Sequence, residues 1–501
     1  MNEEFSFALT AITGNSQAVC RRWKPVEAAR PPGPFRVTTA VTSSPVAPAA
    51  PTTPVGRGGR ARALWQARTL GWIGVVGAVV TVGLWLKHGG YTNATGPGGF
   101  ATAVGQVTAL LGTYAVLVQL LLMSRIAWLE RAVGLDRLAV WHRWNGFATV
   151  WLLVAHVGFT TVGYAQGDRI SLWSQSRDFI SHYADVLMAW VGLLLLIAVA
   201  VTSIQMARRA LQRQTWYFIH LYAYLAVALA FAHQLAVGTD FSTDRAARIW
   251  WVGLYLLVGG AILWWRIIEP IRLNLRHDLR VHSVKREAKG VVSIHLRGRD
   301  LQRLNAQPGQ FFLWRFLTPT GWWQAHPFSI SAAPASNRIR ITVKDLGDHT
   351  ARLQRIRPGV RVIAEGPYGT FTAERRTRRH IALIAGGIGV TPLRALLDSF
   401  GPDDDVVMLY RVATPDEVVF VDELRQFAGL PHMRIHVIPG TEIGDDQTDL
   451  LGIPMLQRGI PDIAHRDCFV CGPPAFIDAL QRRLARLGVP RSQIHFERFQ
   501  L

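Results

Sequence analysis

The chain is poor in cysteine, in acidic residues and in charge altogether. Three cysteines in 501 residues exclude a disulfide framework and a four-cysteine site for zinc or an iron–sulfur cluster. No C-x-x-C-H offers covalent haem attachment. No EF-hand loop offers calcium control, and no G-x-G-x-x-G marks a two-glycine-wheel dinucleotide fold. The start of the chain lacks the basic-then-apolar pattern of a signal peptide, and no repeat of fixed period is present. Acidic residues number 34 against 54 basic ones, a formal charge of +20. That excess could suit a nucleic acid, but the arginines lie in the N-terminal tail, at the ends of apolar runs and in the last third. They form no single stripe, so no nucleic-acid partner is expected. Basic loops of a membrane protein account for them better.

What the chain has is apolar length. Residues 1–62, with "RPPGPFRVTTAVTSSPVAPAAPTTPVGRGGR", cannot bury a core and are predicted to be a disordered tail. Six apolar runs follow: Leu70–Leu86, Phe100–Met123, Leu138–Tyr164, Asp185–Met206, Thr215–Val237 and Ile249–Ile268. Each approaches the ~20 residues that cross a ~30 Å hydrocarbon layer as a helix. Arg57, Arg60, Arg62 and Arg68 precede the first run. Arg125, Arg131 and Arg137 follow the second, Arg208, Arg209 and Arg213 the fourth, and Arg272 and Arg276 the sixth. The alternate loops are poorer in Lys and Arg, so both termini are expected in the cytoplasm of a multi-pass cell-membrane protein.

Four histidines stand inside two of these runs. "HRWNGFATVWLLVAH" runs from His142 to His156, and "HLYAYLAVALAFAH" from His220 to His233. An imidazole in hydrocarbon is a functional candidate, although it can also bond a neighbouring helix quietly. Both first histidines fall near the cytoplasmic face and both second ones nearer the outside. Two layers of two imidazoles suit two six-coordinate b-type haems. A spacing of 14 returns to within ~40° of one helix face, but 13 lands ~140° away. The fifth helix is therefore expected to bend, tilt or bulge.

After Pro270 the texture changes. "VVSIHLRG", "FFLWRF" and "RIRITVKD" read as strands of a β domain. Beyond His380, "IALIAGG", "DVVMLYRV", "MRIHVIPG" and "DCFVCGPP" alternate with helical patterns, which predicts a parallel α/β sheet. The strand–glycine–helix run "IALIAGGIGVTPLRALL" can receive a pyrophosphate on its backbone N–H groups. Arg411 ends the next strand, where a cation can pair with a ribose 2′-phosphate, favouring NADPH over NADH. Cys468 and Cys471 form C-x-x-C, which invites a thioredoxin-like reading.

The histidine spacings on the third and fifth of six helices, followed in order by "HPFS", "EGPYG", "AGGIGVTP", "CGPP" and "FERF", resemble the ferric reductase and NADPH oxidase superfamily. The resemblance implies a six-helix transmembrane haem domain over 63–270. It also implies an antiparallel β-barrel FAD domain over 275–375 and an α/β NAD(P)H domain over 378–501. It implies His142 and His220 as ligands of the inner haem, and His156 and His233 of the outer. His326, Pro327, Phe328 and Ser329 would cradle the flavin, with Gly347 and Thr350 near its phosphates. Gly386, Gly387, Gly389, Thr391 and Pro392 match the nucleotide loop. Gly472 and Pro473 follow Cys471, which would sit beside the nicotinamide, with Cys468 a buried strand residue. Phe499 would stack on the isoalloxazine. His88 reads as a solvated loop residue, and His182 as a possible lining of an acceptor site.

The activity so implied carries electrons from NADPH (or NADH), through FAD and two b-type haems, to an acceptor outside. Oxygen-reducing relatives carry a further histidine four residues beyond the outer ligand, where this chain has Thr160. Ferric iron is therefore the first expectation and oxygen, as in a superoxide-producing oxidase, the second. Two other readings are a haem subunit serving a periplasmic partner or the quinone pool, and a haem-free proton path.

Overall fold

In the computed structural model the residues described are 57–204, 211, 213–238, 244–440 and 449–498. The tail up to residue 56, Arg208, Arg209 and Phe499 lie outside them. The helical half comprises α1 (Arg57–Lys87), α2 (Gly99–Leu122), α3 (Ala127–Val133), α4 (Leu135–Asp168), α5 (Leu172–His182), α6 (Val186–Ser203), α7 (Arg213–Val237), α8 (Arg245–Leu263) and α9 (Glu269–His277). Five described helical stretches are long and apolar enough to cross a membrane: Gly99–Leu122, Arg137–Asp168, Val186–Ser203, Thr215–Val237 and Arg245–His277. The first apolar run forms the shorter helix Gly71–Lys87. Large apolar side chains point outward along these helices, among them Trp72, Trp144, Trp151 and Leu256. Lipid, not water, suits such a surface.

Glycine sets the packing of α2 on α4. Gly98, just before α2, and Gly105 and Gly112 within it recur every seven residues on one side. A Cβ on Gly105 would strike Thr160, and one on Gly112 would lie 2.9 Å from Leu153 Cδ2. The bare backbone lets the two helices approach closely, the arrangement by which small residues join helices in membranes. Asn145 of α4 then donates to Ala115 O at 2.7 Å and to Gln119 Oε1 at 2.8 Å. A second helix pair, α6 with α7, stands opposite.

α7 is an unbroken α-helix from Arg213 to Val237, so the expected bulge is not there. α7 packs on α6 rather than on α4. The π-helical turn falls instead at Trp264–Ile268, between α8 and α9.

The sheet half begins with β1 (Arg280–Ala288), β2 (Val291–Arg297), β3 (Phe311–Phe316), β4 (His326–Ser329), β5 (Arg338–Lys344) and β6 (Val362–Tyr368), with α10 (Asp348–Leu353) before β6. They form two three-stranded antiparallel sheets, β1-β2-β5 and β4-β3-β6, linked by isolated bridges Arg280–Arg361 and Ile330–Ile341. Alternate residues such as Phe312, Trp314 and Phe316 turn into the core between them, opposite Ile339, Ile341 and Val343.

The last unit contains β7 (His380–Gly386), α11 (Val390–Leu397), β8 (Asp405–Val412), α12 (Val421–Ala428), β9 (Met433–Pro439), α13 (Ile453–Gly459), β10 (Asp467–Gly472), α14 (Pro474–Arg486) and β11 (Ile494–Arg498). Its five strands are all parallel, in the order β11-β10-β7-β8-β9. Both faces are buried. Leu383 and Met408 join the core on one side, Ala382, Ile384 and Val407 on the other. That is why these strands read as continuous apolar runs.

Candidate redox and nucleotide sites

Within the bundle, α2 orients the histidines of α4. His156 Nδ1 lies 2.9 Å from the Gly105 carbonyl, and His142 Nδ1 lies 3.2 Å from the Gln119 carbonyl. The two carbonyls are fourteen residues apart, as are the two histidines. Two antiparallel helices with a shared glycine register therefore repeat the same contact at two depths, ~21 Å apart. A carbonyl can only accept, so each Nδ1 is the protonated nitrogen and each Nε2 keeps its lone pair, the state a metal-ligating imidazole needs. Thr160 Oγ1 also reaches His156 Nδ1, at 3.2 Å.

From the other side, the His220 ring lies 5.9 Å from the His142 ring, centroid to centroid, tilted by 58°. Trp216 stacks on His220 at 4.9 Å. His156 and His233 line one cavity of about 280 Å³, walled by α2, α4, α6, α7 and α8. Nδ1 of His233 is buried and has no hydrogen-bond partner among the described residues. The structure thus brings all four predicted histidines together in the predicted pairs. Bis-histidine ligation of iron fits them: Nε2 is spared on α4, and α7 offers a buried nitrogen that protein does not satisfy. His88 corrects the sequence reading, since its ring is largely buried and paired with Asp244. His182 is exposed and bonds Asp178 at 2.8 Å, away from the cavity lining.

The flavin candidates converge from two segments. His326 of β4 stacks on His349 of α10, ring centroids 3.5 Å apart. Burial holds the His349 imidazole down at about 4, with Arg352 adding to the effect, so that ring is neutral at physiological pH. Among the described residues Ser329 Oγ and His349 Nε2 are buried without hydrogen-bond partners, and a Cβ on Gly347 would meet open space. Two orphaned polar atoms beside an open glycine fit a polar ligand such as FAD. Thr350 is buried instead into its own turn, accepting from Leu346 N and donating to Gly347 O, at 2.8 and 2.9 Å. Pro327 and Phe328 pair along β3. Sequence reasoning missed His349, although it stands between the predicted Gly347 and Thr350.

The nucleotide candidates meet where the strand order reverses. β7 starts the unit; β8 and β9 lie to one side, β10 and β11 to the other. Open parallel sheets take ligands in the crevice at such a switch point, beyond the carboxyl ends of the strands. Gly386, Gly387 and Gly389 leave β7 there, against Cys471, Gly472 and Pro473 at the end of β10. A Cβ on Gly389 would strike the Cys471 carbonyl, and one on Gly472 would lie 2.7 Å from Phe476 Cδ1. Thr391 and Pro392 are buried in the first turn of α11, with Thr391 Oγ1 donating to Ile388 O at 3.1 Å. A Gly389→Ala variant is expected to raise KM for the nucleotide by roughly tenfold or more, because backbone cannot yield and overpacking costs about 1–3 kcal/mol. Steady-state kinetics with a soluble dye acceptor checks this.

Two of the predicted residues behave otherwise. Arg411 is not a solvated cation awaiting a phosphate. It is mostly buried and bonds Asp449 at 3.2 Å, and Arg483 meets the same carboxylate at 3.2 Å. Arg411→Ala is expected to lower thermal stability, by about 1–3 kcal/mol for a disturbed buried carboxylate, and to leave the NADPH-to-NADH preference nearly unchanged. Cys471 is fully enclosed, and burial pushes its thiol well above the usual range, with Glu497 adding to it. Burial pushes Cys468 up to about 12. The two thiols enter opposite faces of the sheet, Cys471 in one core and Cys468 in the other. Strand alternation thereby forbids the dithiol reading.

A further group joins the two halves. Arg125, in the turn after α2, makes an ion pair with Glu365 of β6. Tyr368 donates to Glu365 Oε1 at 3.0 Å, and Arg315 stands 3.7 Å from the same carboxylate. Asn274 of α9 exchanges two 2.9 Å bonds with Ala364 of β6, and Arg375 donates to Arg131 O at 3.0 Å. The "EGPYG" motif therefore docks the sheets on the bundle. Beside it, burial pushes the Glu130 carboxyl of α3 up to about 7, against the pull of Arg125.

Comparison with known proteins agrees with this layout. The family model of the ferric reductase like transmembrane component matches residues 108–231, that of an FAD-binding domain 277–372, and that of an oxidoreductase NAD-binding domain 383–482. The chain has the ferric reductase and NADPH oxidase type of architecture. Its sheet domains are those of an NAD(P)H-dependent oxidoreductase. Among similar proteins, the glycine betaine monooxygenase reductase subunit of Chromohalobacter salexigens is 27% identical over 239 residues, 45% of this chain and 65% of that one. The NADH oxidoreductase HCR of Escherichia coli is 28% identical over 220 residues, 42% and 65% respectively. The chain thus spans slightly less than two thirds of these relatives. A solved flavohaem-like FAD/NAD-binding domain of nitric oxide dioxygenase from Vibrio cholerae shows 25% identity and a TM-score of 0.36, covering 44% of this chain and 98% of that one.

Proposed function

We propose that this chain is a transmembrane oxidoreductase that carries electrons from a nicotinamide nucleotide in the cytoplasm, through FAD, to an acceptor outside, by way of two b-type haems. The observation that carries the reading is the pair of histidine levels between α2–α4 and α6–α7, with Nδ1 of His142 and His156 tied to carbonyls fourteen residues apart. His142 and His220 would hold the haem nearer the sheets, and His156 and His233 the other. When bound, FAD takes a hydride and releases electrons singly, while bis-histidine iron relays one electron at a time.

The protein's own part is positioning. The α2 carbonyls fix the tautomer and ring direction of the α4 ligands. The apolar cavity walls exclude water, and α1 supplies the sixth span of the bundle. The bridges at Arg280–Arg361 and Ile330–Ile341 support closure of the two antiparallel sheets into a barrel. On it, β4 and α10 present Ser329 and His349 to the flavin. Gly386, Gly389 and Gly472 let β7, α11 and β10 pack closely beneath the crevice, and Gly387, where a Cβ would meet open space, lets backbone approach the nucleotide. The buried Arg411–Asp449 pair removes the main reason to prefer NADPH, so NADH is an equal candidate. The arginine bias of alternate loops supports cytoplasmic termini. At the outer level, Thr160 in place of a histidine supports ferric chelates as acceptor ahead of oxygen.

An anaerobic visible spectrum of the purified protein, before and after NADPH or NADH, tests the reading. Soret and flavin bands that both respond to nucleotide are the expected result. A missing Soret band, or haem that ignores the nucleotide, overturns it.

A further inference from the structure

The cavity around His156 and His233 carries a second set of polar groups near α8. Gln106 of α2 and Gln234 of α7 both line it. The Trp85 indole donates to Gln106 Oε1 at 2.9 Å. The Trp251 indole and the Tyr255 hydroxyl meet Gln234 Oε1 at 2.9 and 3.1 Å. An indole N–H is a donor only, so each carboxamide must turn its oxygen to the tryptophan. Its NH2 group then faces the other way. Among the described residues no hydrogen bond meets Nε2 of either glutamine.

The rest of the wall sharpens the point. Among the described lining residues there is no Lys, Arg, Asp or Glu. A ligand that brings acidic groups into this space finds no cation to neutralise them. It finds neutral donors, among them these two amides, each anchored from behind by a buried tryptophan (Trp85 and Trp251). Gln106 follows Gly105, whose carbonyl orients His156, and Gln234 follows His233. Both donors thus stand at the depth of the outer pair.

We propose that the Gln106 and Gln234 carboxamides donate their N–H groups to the carboxylates of the prosthetic group held by His156 and His233. This rests on the haem reading above, a b-type haem carrying two propionates. Neutral donors share a carboxylate's charge without cancelling it, so these amides influence the reduction potential of one iron and not the other. They act as positioning residues.

The test uses the full-length protein in detergent, with Gln106→Met and Gln234→Met variants, close in shape but without a donor. Haem content is read from the Soret band, and the two reduction waves by spectroelectrochemical titration. The expected result is two haems per chain, one wave moved to lower potential in each variant, and the other wave unmoved. A fall to one haem per chain, with flavin-dependent dye reduction intact, supports the proposal equally. Both waves unmoved, or both moved alike, overturns it. Reconstitution with the dimethyl ester of the haem supplies a check independent of folding: the difference between wild type and variant should shrink, and an undiminished difference overturns the proposal. Wild-type protein with no Soret band sinks the haem reading itself, a distinguishable outcome.

Discussion

Replacing His156 by alanine is expected to lower nucleotide-driven reduction of an external acceptor by more than about a hundredfold. Reduction of a soluble dye by the flavin half should stay near wild type. The scale follows from metal sites in which loss of a mere outer-shell partner costs 10–100-fold; here a ligand itself is removed. The separation of the two activities follows from distance. His156 lies ~21 Å along α4 from His142, and no strand of the sheet domains touches its cavity. Membrane vesicles given NADPH or NADH, with a ferric chelate outside and a dye on the nucleotide side, check both halves together. Unimpaired chelate reduction in the variant would mean that electrons do not pass the outer pair.

The second large effect is expected at the joint. Arg125→Ala leaves Glu365, almost fully buried, beside Tyr368 and Glu130 with Arg315 as its remaining ion-pair partner among the described residues. Removing one partner of a buried pair costs about 3–5 kcal/mol. Arg315 places this case near the low end. The dye reaction should again survive, while transfer into the bundle falls, because the strand that docks the flavin sheets loses its main anchor. Glu130 adds a pH dependence whose sign is fixed. Its carboxyl is raised from 4.5 to about 7 by burial, so the folded state binds the proton more tightly than the unfolded chain. The contribution to stability is complete below pH 4.5 and is lost as pH rises through 7. Glu130→Gln should flatten that loss in thermal melts between pH 5 and 8.

The parts of the molecule written in local pattern were legible in the sequence. Five of the six apolar runs form helices long enough to span, because composition and length alone decide that. The parallel sheet announced itself through apolar strands buried on both faces. The four histidines stood out because hydrocarbon tolerates few polar groups. Other features were not legible, for identifiable reasons. The carbonyls of Gly105 and Gln119 that aim the histidines belong to the backbone and leave no side-chain signature. Arg125 and Asn274 gain their roles only from a strand some 240 and 90 residues away. Arg411 stood at the right strand end, but its partner Asp449 lies 38 residues on, so pattern alone could not show that its charge was already matched. The bend, tilt or bulge expected of α7 came from treating two helices as direct neighbours, when each leans on a different partner.

The clasp of β6 by Arg125 and Asn274, with Arg375 bonded to the Arg131 carbonyl of α3 beside it, has a kinetic corollary. In the proposed function the electron donor and the membrane path belong to one polypeptide and are held together by this joint, which makes every exchange between them unimolecular. Turnover per molecule should therefore not change on dilution, and no soluble carrier should accelerate it.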